Sequence, residues 1–163
     1  MNFAAMIETL STWALPVILA ITLHEAAHAW VADRLGDDTA RKLGRVSFNP
    51  LRHVDPFGTI LMPLLLFFLK SPFMFGYAKP VPVNFGRLGN PRKDMVWVAL
   101  AGPGINFALA LIAALLFHIT FYLPEVAQKW FLLNLVNCIQ FNLLIAVFNL
   151  LPIPPLDGGR VLV

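Results

Sequence analysis

The chain contains a single cysteine, Cys138, and it lies inside an apolar stretch. One thiol excludes an intrachain disulfide and any metal cluster built on cysteine, so a metal site here must use histidine and carboxylate. Charge is scarce as well: 13 % of the 163 residues are charged and 58 % are hydrophobic, where a globular domain carries about 25 % charged residues. A domain this small has too little interior to hide that much apolar surface. The mean hydropathy of +0.73 therefore excludes an ordinary soluble enzyme and points to lipid as the solvent. The basic excess, 12 Lys and Arg against 9 Asp and Glu, reads in so apolar a chain as loop charge that sets topology. Nucleic acid is not an expected partner, and the lipid bilayer is. No internal repeat, low-complexity tract or appended soluble domain is read in the sequence.

Long apolar runs are abundant. Trp13 to Leu35 is too long, and too interrupted by polar groups, for a cleaved signal peptide, and it is predicted to be a membrane helix. Two more runs, at about 95–123 and 130–151, each exceed the roughly 20 residues needed to cross a bilayer. The expected fold is an all-α membrane protein with spans at about 13–35, 95–123 and 130–151, in a single membrane-embedded domain over 1–163. Phe57 to Leu69 is 13 residues long and contains Pro63, which predicts a re-entrant or interfacial segment. In Gly76 to Asn84, GYAKPVPVN, the prolines argue against helix and the alternation predicts a short β-hairpin. The re-entrant and hairpin region thus occupies about 57–86, between the first and second spans.

Nine of the twelve basic residues (Arg41, Lys42, Arg45, Arg52, Lys70, Lys79, Arg87, Arg92 and Lys93) lie between the first and second spans. By the positive-inside rule that connection is expected on the cytoplasmic side. Trp13 and Trp130 then begin outward-facing ends while Trp30 and Trp97 sit near inward-facing ends, the two belts expected of interfacial aromatics.

Near the inner end of the first span stands His24-Glu25-Ala26-Ala27-His28. Histidines at i and i+4 project from one face of a helix and can chelate one zinc ion, and the intervening Glu25 can reach water beside it. A charged helix face pairing its own side chains is the bland alternative. Two imidazoles and a carboxylate inside a membrane helix, at about 2 to 3 kcal/mol each, argue against it unless a partner compensates them. A catalytic zinc has three protein ligands and one open position, so a third ligand is required. His118, His53, Asp55 and Asp157 are the candidates. Asp157 is favoured, because the first and third spans run in the same direction and bring His28 and Leu156-Asp157-Gly158-Gly159 to one depth. Pro152, Pro154 and Pro155 break the helix there, and such irregular backbone is tolerated at membrane depth where it lines a polar cavity.

Three segments in this order, His24-Glu25-Ala26-Ala27-His28, Ala101-Gly102-Pro103-Gly104-Ile105-Asn106 and Asn149-Leu150-Leu151-Pro152-Ile153-Pro154-Pro155-Leu156-Asp157-Gly158-Gly159, resemble the site-2 protease family of intramembrane zinc metalloproteases. Asn49 to Pro56 is similar to a segment of its compact bacterial members, which lack PDZ and CBS domains. The resemblance covers about Leu15 to Val163. It implies one zinc per chain on His24, His28 and Asp157, Glu25 as general base, and Asn149 at the scissile carbonyl. The implied substrate is a transmembrane protein or peptide cut within or near its helix, as in regulated intramembrane proteolysis. The implied location is the bacterial cytoplasmic membrane, with the site toward the cytoplasm. Family members continue into at least one further helix, so the chain is expected to stop short of one.

Asn149 has a reading from the residues alone, either as an interhelical hydrogen bond holding the bundle or as a group for the substrate carbonyl. Gly102 and Gly104 read as small packing surfaces, and His53 and Asp55 as groups ordering their loop. In the expected hairpin, Lys79, Val81 and Val83 keep backbone donors on one edge, which could hold an extended substrate. Two other functions remain open from the residues: a membrane zinc hydrolase of soluble or lipidated peptides, and a non-catalytic zinc-binding scaffold or transporter. A scaffold has no need of Glu25. The oligomeric state is not legible.

Overall fold

The computed structural model of the chain describes residues 3–69 and 77–161. The elements run α1 (Phe3–Arg34), the single turn α2 (Thr39–Lys42), a π-turn (Pro56–Leu61) leading into α3 (Met62–Phe68), α4 (Pro91–Leu116) prolonged by 3-10 turns (Phe117–Tyr122), α5 (Glu125–Asn149) and the short α6 (Asp157–Arg160). Among the described residues every regular element is helical. Three of them, α1, α4 with its extension and α5, are long and apolar enough to cross a membrane, and the chain is an integral membrane protein. The first span begins at Phe3 rather than near Trp13. The polar residues ahead of Trp13 are satisfied inside the helix, where the hydroxyls of Thr9, Ser11 and Thr12 donate to carbonyls three or four residues back.

The expected hairpin is not formed. Gly76 lies outside the described residues, and residues 77–84 run as a strap with no strand partner among them. Pro80 and Pro82 remove two N–H groups, so one edge cannot build a ladder. Donors of the other edge are already engaged: Tyr77 N–H donates to Gly58 O at 3.1 Å and Lys79 N–H to His53 O at 2.9 Å, and Val81 N–H to Glu25 Oε2 at 2.8 Å. The Arg45 guanidinium donates to Lys79 O. The Val81 side chain is buried beside Ala29, Ala40, Val46 and Val83, which seats the strap on α1.

α4 lies antiparallel to α1, with Asn106 beside Ala20, Val98 beside His28, and Met95 packed with Ala32. α5 runs parallel to α1. Trp130 Nε1–H donates to Ser11 Oγ at 3.0 Å, and Asn137 Nδ2 donates to Thr12 O at 3.1 Å. That carbonyl is free because Pro16, four residues on, has no N–H to offer it. The interfaces are built from small buried residues such as Ala20, Ala29, Ala99, Gly102 and Ala146, while Leu111, Leu115, Leu144 and Phe148 face outward. Small side chains let membrane helices approach closely, and large ones on the outside suit lipid.

The joint between α1 and α4 is polar. Gly36, at φ 108°, turns the chain, and Leu35 O accepts from Gly89 N at 3.0 Å. Asp37, fully buried, accepts at Oδ1 from the Thr39 N–H and hydroxyl and at Oδ2 from Asn84 N–H at 2.6 Å. Burial opposes its charge, but these hydrogen bonds and the nearby Arg87 outweigh it and hold the carboxyl below its ordinary value of 3.8. A carboxyl depressed in the folded state stabilises above its unfolded value and loses that contribution as pH falls through the folded one. In thermal melts of detergent-solubilised protein, Asp37→Asn should cost about 1–3 kcal/mol near neutral pH. The gap to wild type should narrow below pH 3.8.

Candidate metal centre

His24 and His28, one turn apart on α1, face α4 and are buried. Asp157 reaches them from the start of α6, where the proline-broken segment after α5 folds back on itself. The fold-back is close enough that a Cβ on Gly158 would stand 2.3 Å from Leu150 O, so this position must be glycine. Asp157 Oδ2 lies 3.1 Å from His24 Nε2 and 3.1 Å from His28 Nε2. The two Nε2 atoms are 3.0 Å apart.

The far side of each ring fixes what these atoms are. His28 Nδ1 faces Val98 O at 2.7 Å, and a carbonyl can only accept, so the proton is on Nδ1. His24 Nδ1 faces Asn106 Oδ1 at 2.5 Å, and that amide is oriented by its Nδ2, which donates to Asn142 Oδ1 at 2.7 Å and to Ala20 O at 3.3 Å. Both neutral rings therefore turn unprotonated Nε2 atoms toward one carboxylate oxygen.

Three lone-pair donors in van der Waals contact, with no proton among them, call for a cation. Tetrahedral zinc at about 2.0–2.1 Å from each ligand separates the ligand atoms by roughly 3.3 Å, close to the separations found. The donor set fits, and its back wall is Gly102. A Cβ there would stand 2.4 Å from His28 Nε2 and 2.6 Å from His24 Nε2. Glu25, next to His24, is held through Oε2 by the Val81 N–H.

Of the other sequence candidates, Asn149 donates from Nδ2 to Ile145 O at 3.1 Å within its own helix. His118 is exposed and bonds Leu115 O. His53 bonds Ser47 O, and Asp55 accepts from Phe57 and Gly58 N–H at the start of the π-turn, so both order their loop. Sequence reasoning missed Asn106 and Asn142 as partners of the site and took Gly102 for simple packing. The available signal was polar amides at membrane depth on both facing helices.

A family model, Peptidase family M50, matches residues 12–130. The chain is 42 % identical over 150 residues to "Putative zinc metalloprotease YwhC" of Bacillus subtilis, covering 90 % of this chain and 65 % of that protein. It is 33 % identical over 145 residues to "Putative zinc metalloprotease Rip2" of Mycobacterium tuberculosis, covering 89 % and 53 % respectively. The chain thus spans about half to two thirds of the length of these curated relatives. No solved structure matches it. Because the matched residues make up most of the chain and include the helix that carries both histidines, the chain belongs to peptidase family M50, the site-2 protease family.

Proposed function

We propose that residues 1–163 form a single membrane-embedded peptidase domain, a zinc endopeptidase that hydrolyses peptide bonds within or near the transmembrane helices of membrane-protein substrates, as in regulated intramembrane proteolysis. The observation that carries this reading is the convergence of His24 Nε2, His28 Nε2 and Asp157 Oδ2 beside a carboxylate, Glu25, that belongs to none of the three. The names of the relatives, zinc metalloproteases, support zinc as the ion.

His24, His28 and Asp157 would hold one zinc per chain. When bound, zinc polarises the scissile carbonyl and lowers the pKa of water to about 7. Glu25 takes the proton of the attacking water and returns it to the amine as the C–N bond breaks. Its Oε2 accepts from Val81 N–H, which leaves Oε1 to take the proton. Asn149 stabilises the oxyanion developing at the carbonyl, giving up its bond to Ile145 O to do so. Glu25 is what favours a protease over a metal-binding scaffold.

The basic connection between α1 and α4 faces the cytoplasm of a bacterial cell, and its segment Phe57 to Leu69 is re-entrant. Lys79 and Val81 direct their N–H groups into the protein, and with Val83 they hold the strap in place. The carbonyls of Ala78, Pro80 and Pro82 accept nothing from the described residues. They are the groups a locally unwound substrate would meet, because an extended peptide in a membrane must pair its N–H groups.

Purified protein should bind one zinc, measured by elemental analysis, and His24→Ala, His28→Ala or Asp157→Ala should each lose most of it. Gly102→Ala should do the same, because its methyl group occupies the space of the ligand atoms. Glu25→Gln should keep zinc and lose cleavage of tagged single-span substrates. Val81→Pro, which removes the N–H that orients Glu25, should keep zinc and cut at least tenfold more slowly, about 1.4 kcal/mol in transition-state stabilisation. A normally active Glu25→Gln protein would sink the general-base role. His28 lies six residues from the helix end at Arg34, roughly 9 Å along the axis. Product termini mapped by mass spectrometry should therefore fall in the cytoplasmic half of the substrate's span, and cuts confined to the outer half would reverse the orientation.

A further inference from the structure

We propose that Asn106 and Asn142 act together as a lock on the tautomer of His24, which makes both of them positioning residues for the metal centre. The inference rests on the zinc reading above. Both amides are fully buried, at 0 % exposure, on facing sides of α4 and α5. Asn106 Oδ1 accepts the His24 Nδ1 proton. The two ends of an asparagine amide have nearly the same shape and opposite hydrogen-bonding character. Turned over, Asn106 would present Nδ2 to His24, the ring proton would move to Nε2, and the lone pair facing Asp157 and His28 would be lost. Two acceptors oppose that turn, Ala20 O at 3.3 Å and Asn142 Oδ1 at 2.7 Å, and the shorter contact is the one from Asn142.

Asn142 is itself oriented. Its Nδ2 donates to Cys138 O at 2.8 Å and also meets Cys138 Sγ at 3.4 Å, which leaves Oδ1 as the end turned to Asn106. A fixed backbone carbonyl on α5 thus determines, through two amides, which nitrogen of His24 carries the proton. His28 needs no such device. Its Nδ1 bonds Val98 O directly, and a backbone carbonyl has no donor end to turn. A hydrogen-bond partner on the far nitrogen typically sets the orientation and basicity of a metal-bound histidine. The relay supplies that partner for the one histidine that lacks a backbone carbonyl.

The test uses the full chain in detergent, with zinc affinity read by competition with a chromophoric chelator and site geometry by the visible bands of substituted cobalt(II). Asn142→Leu should weaken zinc about tenfold and alter the cobalt spectrum, and Asn106→Ala should weaken zinc by about 10- to 100-fold. Asn106→Asp presents oxygen to His24 whichever way it turns, so it needs no lock. Adding Asn142→Leu to Asn106→Asp should therefore change affinity by less than about twofold. Asn134→Leu removes another buried amide from α5, one that bonds Trp130 O instead, and should leave zinc affinity and the cobalt spectrum unchanged. Wild-type affinity in Asn142→Leu overturns the lock, and so does an equal loss in both Asn106 backgrounds or an equal loss in Asn134→Leu. Failure of the unaltered chain to bind zinc overturns the metalloprotease reading instead.

Discussion

The structure depends on three electron-pair donors, two imidazole nitrogens and one carboxylate oxygen, held about 3 Å apart between apolar helices. Such groups repel one another unless a cation joins them, and burial in a weakly polar medium raises the cost of leaving them unjoined. The surrounding elements can be understood as what holds them there. α1 supplies the helical period that stacks His24 over His28. α4 supplies a carbonyl, an amide and the missing side chain of Gly102. The broken segment after α5 folds back closely enough to aim Asp157 into the same space.

Close helix packing and the site have one origin. Ala20, Ala32, Ala99 and Gly102 are small buried residues of α1 and α4. Their small size lets the backbones approach until side chains of ordinary length reach across, as Asn106 does to Ala20 O and His28 to Val98 O. Larger residues in those positions would separate the helices and leave the polar groups unpaired. The bundle is thus polar and small inside, large and apolar outside, as befits a protein whose solvent on most sides is lipid.

The strap couples the site to the loops between α1 and α4. Its backbone is tied to Gly58, His53 and Arg45 on one side of the fold and to Asp37 on the other, with Glu25 between them. The conformation of Glu25 is therefore not a property of α1 alone. It depends on loops distant in the chain that are held by hydrogen bonds and by the burial of Val81.

The sequence by itself determined the features that local period and composition dictate. Apolar run length set the three spans, and the i, i+4 spacing put His24 and His28 on one face. The shared direction of the first and third spans brought Asp157 to the depth of the two histidines. Those inferences hold because helix geometry and the hydrophobic requirement of a bilayer act over a few residues and leave few alternatives. The partners of Asn106, the space beside Gly102 and the path of residues 77–84 were decided only in three dimensions. The alternation around Pro80 and Pro82 resembled a hairpin, but a strand forms only where another strand offers partners. Here Gly58 O, His53 O and the Glu25 carboxylate supply them instead. Which groups meet across 56 or 82 residues of chain is set by helix register and close approach, and no local pattern in the sequence encodes either.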